Sequence, residues 1–218
     1  MPPVPGLPAG HLDQIGIVVP DLNAAMDGYI ATLGVAFQVF DVDQTTSSFS
    51  GSSADIDIDS SSDVLVAHCD IDCNDDAICL KAGRDADGLR VNRPSEKIRI
   101  YDNTVRGGAA GVTIRSETSG GIRDVEVKGL TVLAAVPAGI LFKSASTRGG
   151  TIENIAISNV STVGVATPVS ITLNWNPSYS YAKLPEGIQD MPAYWRVLTE
   201  VVPPEKGLPH FRKITVSG

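Results

Sequence analysis

The sequence predicts a mainly β protein in which short strands stack in parallel as the coils of a solenoid. Apolar triplets recur at spacings of 34, 27 and 30 residues, and a second series follows in step at spacings of 34, 28 and 31 residues. Glycine and asparagine turns separate the triplets, and helical periodicity is absent from this part of the chain. A β-sandwich is the alternative, but two series in step favour stacked coils. The first series is Val64-Leu65-Val66, Ile98-Arg99-Ile100, Val125-Glu126-Val127 and Ile155-Ala156-Ile157, and the second is Ile78-Cys79-Leu80, Val112-Thr113-Ile114, Ile140-Leu141-Phe142 and Ile171-Thr172-Leu173.

Each triplet is therefore expected to pair with its counterpart in the next coil. Residues 56–173 should form the stacked coils, with four apolar side chains in line on one wall of the solenoid. These four are Val66, Ile100, Val127 and Ile157.

The composition limits the classes of partner. A chain of 218 residues is long enough for a sizeable core. Its net charge of -8 and pI near 4.8 argue against nucleic-acid and membrane partners, which would require a basic face. The three cysteines, Cys69, Cys73 and Cys79, lie too close together in sequence for a disulfide framework, so buried free thiols are expected. The N-terminus lacks the pattern of a signal peptide, and no apolar run is long enough to span a bilayer.

The first fifty residues predict a separate βαβ unit. A strand over Leu12–Val19 precedes an amphipathic helix over Asp21–Leu33, and a second strand follows over Phe37–Val42. The Ser/Thr-rich segment Thr45–Ser53 reads as a turn-like boundary. We expect either that residues 1–51 cover the first coil of the solenoid over residues 52–218 or that the chain self-associates through its exposed solenoid ends.

The run from His11 to Leu22, together with Tyr29-Ile-Ala-Thr-Leu-Gly, resembles the opening module of the vicinal-oxygen-chelate (glyoxalase-like) family. The resemblance covers residues 10–54 and implies a first metal ligand at Gln14. A single neutral amide does not make a metal site, and the stretches Gly107-Gly108 and Gly120-Gly121 are turns rather than phosphate loops. The sequence therefore predicts no metal and no cofactor.

Two further segments interrupt the coil pattern. Residues Arg84–Pro94 form a charged stretch without apolar periodicity, which predicts a loop that overhangs one face. Residues 174–204 hold both tryptophans and are rich in tyrosine and proline. Flat aromatic faces suit the apolar side of a sugar ring, but packing onto the coils requires the same residues, so both readings stay open.

The candidate chemistry lies at Asp75-Asp76, directly before the apolar strand at Ile78. Two like charges this close resist joint ionisation, so one carboxyl is expected to keep its proton while the other stays charged. That combination supplies an acid and a base in one place. The alternative is that two acidic residues at a strand end are ordinary solvated side chains.

Four ordered motifs run along the solenoid: Ile56-Asp-Ile-Asp-Ser-Ser-Ser-Asp-Val-Leu-Val, Cys73-Asn-Asp-Asp-Ala-Ile-Cys-Leu-Lys, Ser116-Glu-Thr-Ser-Gly-Gly and Gly139-Ile-Leu-Phe-Lys. They are similar to those of the family 28 glycoside hydrolases, the polygalacturonase and rhamnogalacturonan-hydrolase group. The similarity spans residues 52–218 and implies a right-handed parallel β-helix that cleaves pectin, an acidic polysaccharide, with inversion. Members are usually secreted or periplasmic, which leaves the location of this chain open.

The resemblance implies roles for three residues and also identifies departures. Asp75 would be the general acid, Asp76 one of the bases, and Lys143 a ligand of the sugar carboxylate. An aspartate is expected where Ala54 stands, a histidine at Ala109 and an arginine at Leu141. Asp55 should face away from position 54, and Asp57 is expected to share its face about 7 Å farther along the strand.

Two functions therefore follow from the sequence. The first is a pectin-active hydrolase of low or no activity, because one base is missing at Ala54. The second is a non-catalytic, chimeric or engineered β-helix scaffold that keeps the family residues for packing and turns.

Overall fold

The computed structural model describes residues 48–50, 55–133, 135–176, 196–197 and 199–217. The predicted βαβ unit, Gln14 and Ala54 lie outside these residues, so the division at residue 51 stays a prediction. In chain order the elements are β1 (Ser48–Ser50), β2 (Ile56–Asp59), β3 (Leu65–Ala67), β4 (Asp70–Asp72), β5 (Ile78–Lys81), α1 (Asp85–Val91), β6 (Ser95–Tyr101), β7 (Thr104–Gly107), β8 (Ala110–Ile114), β9 (Ile122–Val132), β10 (Ala138–Lys143), β11 (Thr151–Thr162), β12 (Thr167–Thr172), α2 (Pro204–Gly207) and β13 (His210–Ser217).

The strands form two parallel sheets, and successive coils of the chain add strands to both, as the predicted parallel β-helix requires. The long sheet has eight strands in the order β1-β4-β7-β9-β11-β13, with β3 paired to β6 and β6 paired to β9. The short sheet has five strands in the order β12-β10-β8-β5-β2. Among the described residues, no helix is long and apolar enough to cross a membrane.

The register of the long sheet confirms the predicted wall of apolar side chains. Val66 pairs with Ile100, Ile100 with Val127, and Val127 with Ile157. All four side chains are buried. Side chains of a strand face the core at alternate positions, so strands stacked in register place one apolar side chain of each coil directly above that of the coil before.

The register of the short sheet confirms the second series except at its last member. Ile78 pairs with Val112, and Val112 pairs with Ile140. Ile140 then pairs with Val169 rather than with Ile171, so the predicted alignment of the last triplet is wrong by two residues. A shift by two keeps the same side chains on the same face, and the apolar pattern fits both registers.

Two columns of residues with positive φ bend the chain at the same place in successive coils, and we call them the corner columns. The members of each column lie opposite one another in the register of the long sheet. In the second column Gly129 has a φ of 72°, which strains residues with a Cβ, and an added Cβ would also require the Asp102 side chain to move. The first column is Asp63, Lys97, Asp124, Asn154 and Lys213, and the second is His68, Asp102, Gly129 and Asn159.

The core lies between the two sheets and consists of the inward apolar side chains of successive coils. Phe142 on β10 meets Phe211 on β13 edge to face, with ring centroids 6.1 Å apart, so this contact joins the short sheet to the long one. The three cysteines are free, and Cys73 and Cys79 are buried, as expected from their spacing.

The structure corrects two predictions about segments outside the triplets. The boundary Thr45–Ser53 is not entirely turn-like, because β1 lies within it and pairs in parallel with β4. The charged stretch Arg84–Pro94 contains helix α1 rather than a loop. A buried ion pair of 2.5 Å between Asp85 Oδ1 and Arg148 Nη1 fixes this helix to the segment between β10 and β11, two coils farther along the solenoid.

Candidate active site

The outer face of the short sheet carries the candidate site. In β5 the side chains of Ile78 and Leu80 belong to the core, and alternation directs Cys79 to the other face. Asp75 and Asp76 precede β5 and stand at its start. Arg115 follows β8, and Lys143 ends β10, so three successive coils contribute charged side chains to one place.

Asp76 is the buried member of the acidic pair. Its side chain is 2% exposed, and its Oδ2 lies 2.7 Å from Lys143 Nζ. The Lys143 side chain is itself only 7% exposed, and its ammonium lies 4.5 Å from the ring centroid of Trp175. The backbone N–H of Trp175 donates to the carbonyl of Ser144 at 2.9 Å, which holds the tryptophan beside the strand. A buried carboxylate, a cation and an aromatic face therefore form one cluster.

Asp75 is the exposed member, with 57% of its side chain accessible. Its Oδ1 accepts the backbone N–H of Asp76 at 2.8 Å, and its Oδ2 lies 3.2 Å from Arg115 Nη1. Partial burial raises the pKa of Asp75, but the Asp76 N–H and the Arg115 guanidinium outweigh it and hold this pKa below its usual range. Asp75 is therefore the carboxyl favoured to stay charged, and the expectation that one member of the pair keeps a proton stays a prediction.

Arg115 is a site residue that the sequence did not reveal. Its Nη1 lies 3.2 Å from Asp75 Oδ2, 3.6 Å from Asp76 Oδ2 and 3.6 Å from the sulfur of Cys79. The side chain is 19% exposed. The missed signal is positional: Arg115 directly follows the apolar triplet of β8, in the coil next to the one that carries the acidic pair.

A second acidic group lies beside the pair. One ligand atom each from Asp55, Asp57 and Cys79 lies within 4.8 Å of the others. Burial and the charges of Asp57 and Asp75 raise the pKa of Asp55. Asp55 and Asp57 are two residues apart in sequence. Position 54 lies outside the described residues, so the expectation about the face that it shares with Asp57 stays a prediction.

This group is not suited to a metal ion. Lys81 Nζ lies 2.6 Å from Asp57 Oδ2 and already neutralises that carboxylate. Burial raises the pKa of the Cys79 thiol strongly, so the thiolate that binds metals is disfavoured. We therefore assign no metal to these residues.

The two other departures are within the described residues. The backbone N–H of Ala109 donates to the carbonyl of Asp75 at 2.9 Å, so this position contacts the acidic turn through its backbone. Leu141 lies on β10 between Thr113 and Ser170 of the neighbouring strands. Neither residue supplies a charge to the site.

Comparisons with known proteins agree with this architecture. The family model described as glycosyl hydrolases family 28 matches residues 31–190. An exopolygalacturonase from Thermotoga maritima, described as hyperthermoactive, is 35% identical over 54% of this chain and 27% of its own, with a TM-score of 0.51. A family 28 exopolygalacturonase from Yersinia enterocolitica shares the fold over 75% of this chain and 25% of its own, at 22% identity and a TM-score of 0.55.

The matched region is about a quarter of the length of both enzymes. Comparison with curated protein sequences finds no match. The family model begins at residue 31, inside the stretch attributed to a vicinal-oxygen-chelate module, and that resemblance has no support from these matches.

Proposed function

Because this chain belongs to family 28 of the glycosyl hydrolases, we propose that it carries the acid–base site of a pectin-cleaving hydrolase in a form of low or no activity. One observation carries the proposal. Asp75 and Asp76 stand side by side at the start of β5, one carboxylate open to solvent and the other buried against cations.

The difference in exposure suits a division of labour between the two carboxylates. An accessible carboxyl such as Asp75 can reach the leaving oxygen of a sugar chain, so we assign it the role of proton donor. Asp76, which forms an ion pair with Lys143, is assigned the role of the general base that activates the attacking water. Inversion requires that acid and base stand far enough apart for a water to lie between them.

The substrate is proposed to be an acidic polysaccharide. The protein carries a net charge of -8, which repels a polyanion, so binding must depend on local cations. Lys143 and Arg115 are the cations that contact the acidic pair, and Lys143 is assigned to the sugar carboxylate. Such binding should weaken as the salt concentration rises.

The low activity is attributed to Ala54, which stands where the family resemblance implies a second base. General acid–base assistance contributes about 10²–10⁴-fold to a rate, so one missing carboxylate leaves little hydrolysis. Asp55 and Asp57 lie near the pair, but Lys81 neutralises Asp57.

The test is a reducing-sugar assay on polygalacturonate and on rhamnogalacturonan. We expect the parent chain to be nearly inert and Ala54→Asp to raise the rate, while Asp75→Asn in the Ala54→Asp background should abolish the gain. Ala156→Asp is the matched control, because it adds the same charge at an exposed position on β11.

An Ala54→Asp protein that is folded yet inactive on both polymers would contradict the proposal. The second candidate function, a non-catalytic scaffold, would then stand. One observation favours that candidate: both cations of the site are already engaged by Asp75 and Asp76.

A further inference from the structure

We propose that Arg115 is a positioning residue that clamps Asp75 and Asp76 together as a pair of charged carboxylates and so limits Asp75 as a proton donor. This inference rests on the proposed function for its catalytic consequence. The electrostatic clamp itself is a property of the folded chain and can be measured without any substrate.

The first argument is geometric. Arg115 follows β8, whereas the acidic pair precedes β5, so the side chain reaches from one coil to the next. A single nitrogen, Nη1, lies 3.2 Å from Asp75 Oδ2 and 3.6 Å from Asp76 Oδ2. The guanidinium therefore bridges both carboxylates and is only 19% exposed, whereas solvent reaches the Asp75 carboxylate and screens that end of the interaction.

The second argument concerns proton occupancy. Two neighbouring carboxylates without a cation repel each other, and one of them then keeps its proton at a higher pH. A bridging guanidinium offsets that repulsion and favours the charged form of Asp75. In agreement, the pKa of Asp75 lies below its usual range although partial burial of its carboxyl acts to raise it.

The other charged groups near Asp75 do not reproduce this effect. Lys143 also lowers the pKa of Asp75, but its ammonium is bonded to Asp76. Asp55 carries a like charge, which acts in the opposite direction. The thiols of Cys73 and Cys79 have raised pKa values because they are buried, so both are neutral near pH 7. Arg115 is therefore the cation in direct contact with the Asp75 carboxylate within the described residues.

A purely structural role is the competing explanation. Arg115 contacts the Cys79 sulfur, and among the described residues its buried Nε has no hydrogen-bond partner. A residue that only fills space on the outer face would affect stability but not the titration of Asp75. The two explanations therefore differ in one measurable quantity.

The test is a ¹³C NMR titration of the Asp75 side-chain carboxyl in the full chain. In the parent, Asp75 should titrate below an ordinary aspartate. Arg115→Gln should shift its pKa upward, and Arg115→Lys, which keeps the charge, should restore most of the depression. Arg106→Gln is the matched control, since this arginine pairs with Asp70 on the long sheet and should leave Asp75 unchanged.

An Asp75 pKa in the parent at or above that of an ordinary aspartate would overturn the inference without any variant. The same holds if Arg115→Gln, folded by its NMR spectrum, titrates like the parent. If Arg115→Gln does not fold, Arg115→Met, which keeps the apolar stem and removes the charge, takes its place. The pKa of Asp75 should rise in that variant too, and a folded Arg115→Met protein that titrates like the parent would overturn the inference.

A second arm connects the clamp to catalysis in the Ala54→Asp background. A general acid works only while protonated, so the rate falls as pH rises through its pKa. Arg115→Gln should therefore move the falling limb of the pH–rate profile to higher pH. If the titration shifts but no variant hydrolyses a pectic polymer, the clamp stands and the proposed function fails. If hydrolysis appears but the titration does not shift, the clamp fails and the proposed function stands.

Discussion

The outer faces of the two sheets carry similar ion pairs in different surroundings. On the long sheet, Arg123 pairs with Glu96 across neighbouring coils at 2.5 Å, with the arginine side chain 46% exposed. On the short sheet, Lys143 pairs with Asp76 at 2.7 Å, and both side chains are almost fully buried. The stacked coils bring opposite charges together on both sheets, and the two ion pairs differ in how far solvent reaches them.

The difference shows that geometry alone does not give an ion pair its energetic weight. An exposed pair gains little, because water and salt screen it and two flexible side chains lose freedom. In a buried pair, the loss of one partner leaves the other charge buried and uncompensated, which lowers the free energy of unfolding strongly. Ladders of charge on the long sheet should therefore tolerate substitution, whereas the cluster at Asp76 should not.

The largest expected effect is at Lys143. Lys143→Met removes the cation and leaves Asp76 buried, which should destabilise the protein by about 3–5 kcal/mol. Arg115 lies 3.6 Å from Asp76 and should keep the loss at the lower end of this range. Urea unfolding followed by circular dichroism measures the change in the free energy of unfolding.

The control for this prediction is the double variant Asp76→Asn, Lys143→Met. Because it removes both charges, it should recover much of the stability lost in Lys143→Met. A double variant as unstable as Lys143→Met would mean that packing, rather than the uncompensated charge, causes the loss.

A smaller, pH-dependent effect is expected at Asp75. Its pKa in the folded state is depressed, so its charge contributes stability that is present above the pKa of the unfolded chain and is lost as pH falls through the folded pKa. Asp75→Asn should therefore be less stable than the parent at pH 7 and equal to it in acid. The effect should be smaller than at Lys143, because Asp75 is largely exposed. Urea unfolding at a series of pH values tests this, and a difference that persists unchanged in acid would contradict it.

The smallest effect is expected on the long sheet. Arg123→Gln breaks the exposed pair with Glu96 and should cost about 0.2–1 kcal/mol at low salt. The cost should vanish near 1 M salt, where the Debye length falls to about 3 Å. A loss comparable to that of Lys143→Met would remove the distinction between the two faces.

The sequence was sufficient for the fold because the core repeats. Val66, Ile100 and Val127 recur with the coil, and strands stacked in parallel place equivalent residues opposite each other. The last register was misjudged at Ile171, because a period of two residues cannot distinguish a shift by two. Helix α1 was missed, because its seven residues are too few for a periodic signal.

The site was only partly predictable. Asp75, Asp76 and Lys143 came from motifs, and their roles stay predictions. The contact of Asp76 with Lys143 joins residues 67 apart in sequence, and that of Asp75 with Arg115 joins residues 40 apart. Nothing in the local sequence indicates which outward side chains of neighbouring coils will touch. Arg115 becomes visible once the register of β5 and β8 is known.

The corner columns also constrain how such a chain can change its length during evolution. Each bent residue lies opposite another, so the loss of one residue inside β9 would move Gly129 out of its column and turn Leu130 and Val132 away from the core. Insertions should be better accommodated in connections such as the one that contains α1, because that segment joins two strands and belongs to neither sheet. We therefore expect changes in length to fall in the connections or to add and remove entire coils.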